Sequence, residues 1–288
     1  RSSRNRKSST PSFSAMMHDE MLFVKNPTLL QRYNQTLDAG GLVMRLLPSE
    51  HDLRMLVVDI DGTLTDENKL LHTGAVEAVR RLEQAGITVG LATGNVRPIT
   101  WGLWKFLGIS GPMICETGGV IWEPEHERLL HMADGTRSKA AAEWLSTQIE
   151  GLDAAGIESN AWRESEWCLK VEEDDELIRE LLRDSEWPDL NVVRTGFAIH
   201  LAEPQVNKGN GLLKSLEIRG ISPHQVCVVG DAPNDDPLFE VAGWSIAVGG
   251  AFESTAELAD VKSPHFRAET FPHLVDEWLV GKHRVLES

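Results

Sequence analysis

Apolar residues follow two rhythms along this chain, and the rhythms alternate. Met55 to Ile60 is an almost unbroken apolar run and reads as a buried strand. Thr73 to Ala85 has apolar residues at helical spacing and stops at Gly86; Ile87 to Ala92 is again a short apolar run, and Pro98 to Leu107 again helical, stopping at Gly108. The alternation returns with a helix over Gly209 to Arg219, a strand over Val226 to Val229, a helix over Asp235 to Ala242 and a strand over Ser245 to Val248. Strand and helix in turn predict a parallel sheet covered by helices on both faces. The middle breaks this pattern. There, each of two helices, Gly135 to Glu150 and Asp174 to Asp184, is followed by a strand pair: Glu158 to Trp162 with Trp167 to Val171, then Asn191 to Arg194 with Phe197 to Leu201.

The expected fold is therefore α/β, a Rossmann-like doubly wound parallel sheet with a small α+β layer inserted between its halves. The expected divisions are residues 51–123 and 205–288 for the two halves and 124–204 for the insertion. Residues 1–50 are expected to be an extension, largely disordered, with one short helix at Leu29 to Leu37. Its first part, to His18, is rich in Arg and Ser and free of acid. That composition resembles a transit peptide, and sequence lying upstream of Met16-Met17 explains it equally well.

Composition narrows the function classes. Of 288 residues, 41% are hydrophobic and 25% charged, an ordinary globular balance. With 28 Lys plus Arg against 44 Asp plus Glu, the formal charge is −16, which disfavours nucleic acid or anionic lipid as a partner. No apolar run reaches the ~18 residues of a spanning helix. A cytoplasmic protein is expected, and Cys115, Cys168 and Cys227, far apart and odd in number, read as buried reduced thiols. An anionic substrate would approach against the overall field, so a bound cation or a few Lys and Arg must supply local positive charge.

The candidate chemistry lies at the ends of the predicted strands, where open α/β sheets bind ligands. The first strand delivers Asp59 and Asp61, with Gly62 and Thr63 forming the turn. Two carboxylates there are costly without a partner and call for a cation; all-oxygen donors without His or Cys nearby suit Mg²⁺ better than zinc. Gly230-Asp231-Ala-Pro-Asn234-Asp235 follows another strand; Asp231 and Asp235 could face the same cation or simply build a turn. Thr93, Gly94 and Asn95 end a third strand, where a hydroxyl and turn amides can hold phosphate oxygens. Lys208 brings a cation to a helix start. Trp101 and Trp104, at i, i+3 spacing, read as core; Trp162 and Trp167 could line an entrance.

Asp59-Ile-Asp61-Gly-Thr63, Thr93, Lys208 and Gly230-Asp231…Asn234-Asp235 resemble, in order and spacing, the four motifs of the haloacid-dehalogenase-like phosphatase superfamily. An insertion between Thr93 and Lys208 is similar to its C2-capped branch, which includes Cof-type sugar phosphatases. Leu91-Ala-Thr-Gly-Asn-Val-Arg-Pro, Phe106-Leu-Gly-Ile-Ser-Gly-Pro, Glu116-Thr-Gly-Gly and Asn160-Ala-Trp-Arg-Glu resemble the archaeal-type phosphoglycolate phosphatases, with Arg97 and Thr117 departing from that pattern. The likeness spans about residues 54–280. It implies Asp59 as nucleophile, Asp61 as general acid and base, and Mg²⁺ held by Asp59, Asp231, Asp235 and the Asp61 carbonyl. Thr93, Gly94, Asn95, Lys208 and Asn234 would bind phosphate. Arg163, and with it Arg97, are candidates for a substrate carboxylate or plain surface arginines. The expected activity is hydrolysis of 2-phosphoglycolate through an aspartyl phosphate. The alternatives are another small phosphomonoester, such as a sugar phosphate or mannosyl-3-phosphoglycerate, or a non-catalytic phosphoryl-binding module. The partner expected is a small phosphorylated metabolite, with a homodimer left open.

Overall fold

In a computed structural model of the protein, residues 45–286 are described. The helix expected at Leu29 to Leu37 lies outside them. Eight strands form one sheet: β1 (Met55–Val58), β2 (Thr88–Ala92), β3 (Met113–Cys115), β4 (Val120–Glu123), β5 (Arg128–His131), β9 (Val226–Gly230), β10 (Trp244–Gly249) and β11 (Val261–Phe266). Their order is β11-β10-β9-β1-β2-β3-β4-β5, parallel as far as β3, with β4 and β5 added antiparallel.

Alternation along each strand divides the apolar side chains between two faces. Leu56 and Val58, with Val89, Leu91 and Ile246, pack under α1 (Thr73–Gln84), α2 (Arg97–Leu107) and α8 (Thr270–Leu286), which contributes Phe271, Leu274, Val275 and Trp278. Met55 and Val57, with Val226 and Val228, pack under Leu212 and Leu216 of α5 (Lys208–Arg219) and Leu238 and Phe239 of α6 (Asp236–Val241). Central strands buried on both faces have no polar alternation, which is why they read as continuous apolar runs. α7 (Glu253–Leu258) completes the helices of this sheet. Leu46 and Leu47, 1% exposed, join the first core, and their backbone N–H groups donate to Glu277 Oε2, so the packed chain starts before residue 51.

The second sheet is small and antiparallel, in the order β6-β8-β7, with β6 (Trp167–Lys170), β7 (Asn191–Arg194) and β8 (Ala198–Ala202). α3 (Thr136–Gln148) and α4 (Asp175–Arg183) cover one face through Ala141, Leu145, Ile178 and Leu182 against Leu169, Ile199 and Leu201. Asp174 caps α4 by accepting from the Glu176 and Leu177 N–H groups.

One expected strand is corrected. Residues 158–162 form a 3-10 turn instead of pairing with β6 as a strand. The buried amide of Asn160 takes the strand's place: its Nδ2 donates to Cys168 O at 2.8 Å and its Oδ1 accepts from Cys168 N at 3.1 Å. A side chain thus meets the backbone groups that a neighbouring strand would have used. Among the described residues no helix is long and apolar enough to cross a membrane.

Candidate active site

β1 lies between β9 and β2, and the register sets Val58 beside both Val229 and Leu91. Asp59, Asp231 and Thr93 therefore leave the sheet side by side at its carboxyl edge. The Asp59 N–H still donates to Val229 O at 3.0 Å, which fixes the first carboxylate at the end of the ladder. Gly62 follows with φ +87°, and a Cβ there would stand 2.3 Å from Asp231 Oδ2, so only glycine lets the two loops close on each other. Thr63 donates its hydroxyl to Asp231 Oδ1 at 3.2 Å.

Lys208, the first residue of α5, joins the loops from below. Its fully buried ammonium donates to Asp59 Oδ1 at 2.7 Å and to Asp235 Oδ1 at 2.6 Å. Burial works against that charge, but Asp235 and Asp59 outweigh it and raise the lysine's pKa. The other oxygen of Asp235 accepts from the Asp231 and Ala232 N–H groups, which shapes the turn. Asp59 sits well above the usual carboxylate range: burial raises it, Lys208 draws it down, and Asp235 and Asp231 push it up again. Asp231 is pushed up to about 6 by burial and then by Asp235.

Asp59, Asp231 and Asp235 each present an oxygen, all within 4.8 Å of one another. Three carboxylates and one ammonium leave negative charge uncompensated, and hard oxygen donors at this spacing fit a divalent cation of the Mg²⁺ type.

A cavity of about 200 Å³ opens above them, lined by Asp59, Asp61, Gly94, Asp231 and Asn234 from the residues expected in the site. Asp61 is exposed, and its Oδ2 accepts from Asn95 Nδ2 at 2.6 Å. Asn95, expected to hold phosphate, is thus also the group that aims Asp61. Thr93, Lys208 and Asp235 are fully buried and stand behind the cavity wall. The Thr93 hydroxyl oxygen accepts from Asn95 N and Nδ2.

Arg163 is a correction. Its side chain is 1% exposed and lies outside the cavity lining; it pairs with Glu166 and donates from Nη1 to Gly94 O at 3.2 Å. The guanidinium binds the back of the Thr93-Gly94 turn through Nη1, and its burial outside the lining separates it from a carboxylate in the cavity. Arg97 is likewise engaged, with Glu164 at 2.8 Å. Trp101 packs on Trp122, and the indole N–H groups of Trp104 and Trp167 donate to Gly111 O and Ala154 O, which leaves these rings structural. Trp162 is exposed and does not line the cavity.

Arg163 belongs to a second buried cluster between the two sheets. His200 Nδ1 lies 2.9 Å from Glu166 Oε1 and 3.3 Å from Cys168 Sγ, and its Nε2 lies 3.1 Å from Thr195 Oγ1. Burial raises Glu166, but His200 and Arg163 prevail and hold it below its usual value. Buried Glu116 accepts from the Glu164 and Ser165 N–H groups, fastening this segment to the large sheet. Arg163 Nε and Nη2 and Glu166 Oε2 have no hydrogen-bond partner among the described residues.

A family profile, haloacid dehalogenase-like hydrolase, matches residues 56–148 and 157–267. The chain belongs to the haloacid dehalogenase-like hydrolases. Within this family it is 37% identical over 209 residues to a phosphoglycolate phosphatase of Methanothermobacter thermautotrophicus, covering 72% of this chain and 90% of that one. A phosphoglycolate phosphatase of Archaeoglobus fulgidus is 36% identical over 212 residues, covering 73% and 90%. The crystal structure of a Thermoplasma acidophilum protein superposes with a TM-score of 0.73 at 25% identity, covering 80% of this chain and all of that one. A sugar phosphatase of haloacid dehalogenase subclass IIB shares the fold, with a TM-score of 0.59 at 16% identity, covering 80% and 97%.

The remaining cavity walls of this hydrolase went unread in the sequence. Thr195, Gly196 and Phe197 form its roof from the β7–β8 turn, and Lys69, Phe252 and Arg267 complete its sides. The roof had a signal, a Thr-Gly between two predicted strands. Arg267, far from every motif in sequence, had none.

Proposed function

We propose that this hydrolase is a Mg²⁺-dependent phosphatase of small phosphomonoesters that acts through an aspartyl phosphate, with 2-phosphoglycolate as its substrate. The observation that carries the reading is the single assembly at the sheet edge, in which Asp59 is held by Lys208 beside Asp231 and Asp235 while Asp61 is held separately by Asn95. Names carried by relatives at 36–37% identity supply the choice of substrate.

An Asp59 oxygen attacks phosphorus, the P–O bond to the leaving group breaks, and Asp61 gives its proton to the departing alkoxide. Asp61, now ionised, takes a proton from water as that water attacks the aspartyl phosphate; the P–O bond to Asp59 breaks, and phosphate and free Asp59 result. Asn95 keeps Asp61 at the cavity face through both steps. Lys208 keeps one Asp59 oxygen fixed and places positive charge beside the arriving phosphoryl group. Mg²⁺, when bound by Asp59, Asp231, Asp235 and the Asp61 carbonyl, supplies the further positive charge the phosphoryl oxygens require. The Asp61 acid also suits an ester, since a halide leaves without a proton. A cavity of about 200 Å³ lies below the ~300–1,000 Å³ of drug-sized sites, which favours a metabolite of a few carbons. Three buried free cysteines agree with a reducing, cytoplasmic setting.

Phosphate release from 2-phosphoglycolate, mannosyl-3-phosphoglycerate, sugar phosphates and p-nitrophenyl phosphate, with Mg²⁺ or chelator, tests the reading against an Asp59→Asn control. A Mg²⁺-dependent preference for 2-phosphoglycolate that disappears in the control is expected. A preference for sugar phosphates would keep the chemistry and overturn the substrate; no hydrolysis by the folded protein would overturn both.

A further inference from the structure

With Arg163 buried, the cavity must find its cation for the leaving group elsewhere. Of the residues that line it, Lys69 and Arg267 are the two cations, facing Asp59, Asp61 and Asp231. Lys208 stands behind the wall, its ammonium bonded to Asp59 and Asp235. On a chain of formal charge −16, an anion entering this cavity meets positive charge, among the described lining residues, at Lys69 and Arg267 before it reaches the phosphoryl site.

The two are tied together by one backbone atom. Asp66 O accepts from the Lys69 N–H at 3.1 Å and from Arg267 Nη1 at 3.0 Å. Asp66 also folds the segment over itself, its Oδ1 accepting from Asn68 N and Leu70 N. A turn after β1 and the end of β11, about 200 residues apart in sequence, thereby present their cations to the same cavity. Neither cation forms an ion pair with any described residue. Arg267 is steadied instead by the Phe266 ring, its Cζ 5.2 Å from the centroid. Both residues hold left-handed backbone conformations, Lys69 at φ 61° and Arg267 at φ 44°, which side chains with a Cβ adopt at a cost and which gather at functional sites.

We propose that Lys69 and Arg267 form an anion subsite that binds a carboxylate on the leaving group, so that this enzyme selects phosphate esters of short hydroxy acids over esters of neutral alcohols. The proposal rests on the phosphatase reading above. Arg267 offers a planar fork for the two carboxylate oxygens and Lys69 a mobile point charge at the rim. The small cavity restricts the carboxylate to within a few bonds of phosphorus. Lys69 and Arg267 touch no reacting atom; they select and position the substrate.

The test compares 2-phosphoglycolate with ethyl phosphate, a neutral-alcohol ester of similar size, using the full chain with Mg²⁺. In Lys69→Gln and in Arg267→Gln, the ratio of kcat/KM for 2-phosphoglycolate to that for ethyl phosphate falls by about tenfold or more, carried by KM. Arg267→Lys recovers part of the ratio by keeping the charge. Equal losses on both esters would reduce the pair to a brace for the turn and overturn the proposal, as would an unchanged ratio in both variants. Hydrolysis of neither ester by the wild-type chain would overturn the phosphatase reading itself, an outcome distinct from a wild-type enzyme that hydrolyses both without preference, which overturns the subsite alone. Lys69 is exposed, so its variant reports even where Arg267→Gln loosens the fold.

Discussion

Two buried ionic clusters border the small cavity, one through Asp59 and Asp231 and the other through Gly94 and Thr195, and they are short of opposite things. Lys208 bonds Asp59 and Asp235, Asp235 bonds the Asp231 N–H and Asp231 accepts from Thr63, yet carboxylates outnumber the ammonium three to one. Arg163, Glu166 and His200 balance their charges more evenly, yet Arg163 Nε, Arg163 Nη2 and Glu166 Oε2 are without hydrogen-bond partners among the described residues. A cluster that lacks charge but not hydrogen bonds is built to receive a cation. A sealed cluster with balanced charge and stranded donors is built to hold two segments together, and it tolerates the cost of those donors.

Asp59→Asn separates the two most sharply. It removes the nucleophile, and phosphate release is expected to fall by at least about 10³-fold. Folding stability in urea should hold or rise, because the variant relieves a carboxylate already pushed far up by burial and its neighbours. The converse is Glu166→Ala, which leaves Arg163 buried without its counter-ion. Urea unfolding should show a loss of about 3–5 kcal/mol, while the folded fraction keeps measurable turnover. If Glu166→Ala abolished turnover without loss of stability, the division between the clusters would collapse.

Cation binding sharpens the contrast further. Saturating Mg²⁺, at about 100 times its Kd, should stabilise the wild type by about 2.7 kcal/mol, and Asp231→Asn should lose most of that shift in a thermal melt. Without the cation, Asp231 titrates near 6 in the folded chain against an ordinary 3.8. A carboxyl raised on folding binds more protons folded than unfolded within that window, so Asp231's share of metal-free stability should decline as pH rises from about 4 to about 6 and level off above it, with Asp59, raised in the same direction, adding to the decline. Asp231→Asn should flatten the decline, and Mg²⁺ should oppose it.

How much of this was legible depends on how local each feature is. Asp59 and Asp61 could be read because a strand and its turn deliver both, and Asp231 and Asp235 because one short turn carries them. The doubly wound sheet was legible for a similar reason, since its central strands are apolar on both faces. Arg163 was not: the same side chain serves a surface or a floor, and the choice was made by Glu166 three residues on and by Gly94 O far back in the chain. Nor was the turn at 158–162, where one asparagine replaced a strand. α8 had a usable signal, with Phe271, Leu274, Val275 and Trp278 at helical spacing and all buried.

The smallest expected effect concerns Thr117, which lies at the join between the clusters. It is β-branched yet sits at φ 56°, next to Glu116 at φ 50°. Thr117→Asn should stabilise the protein by about 0.5–1 kcal/mol in urea, since Asn tolerates that conformation far better. A destabilisation would mean that its 3.4 Å contact with His200 matters more than the strain.

The amide of Asn160 has a consequence for how these molecules behave when crowded. By occupying both main-chain groups of Cys168 it closes the outer margin of β6. On the opposite margin Arg179 Nη2 takes Val192 O of β7 at 2.9 Å. A three-stranded sheet would otherwise offer two ready templates for strands of other chains, the first step toward fibrous aggregation. Here the loop that carries Asn160, whose Ile157 N–H also donates to Cys168 O at 3.3 Å, covers one margin and a single guanidinium interrupts the other, so neither keeps a complete ladder to copy and the small sheet can stay at three strands.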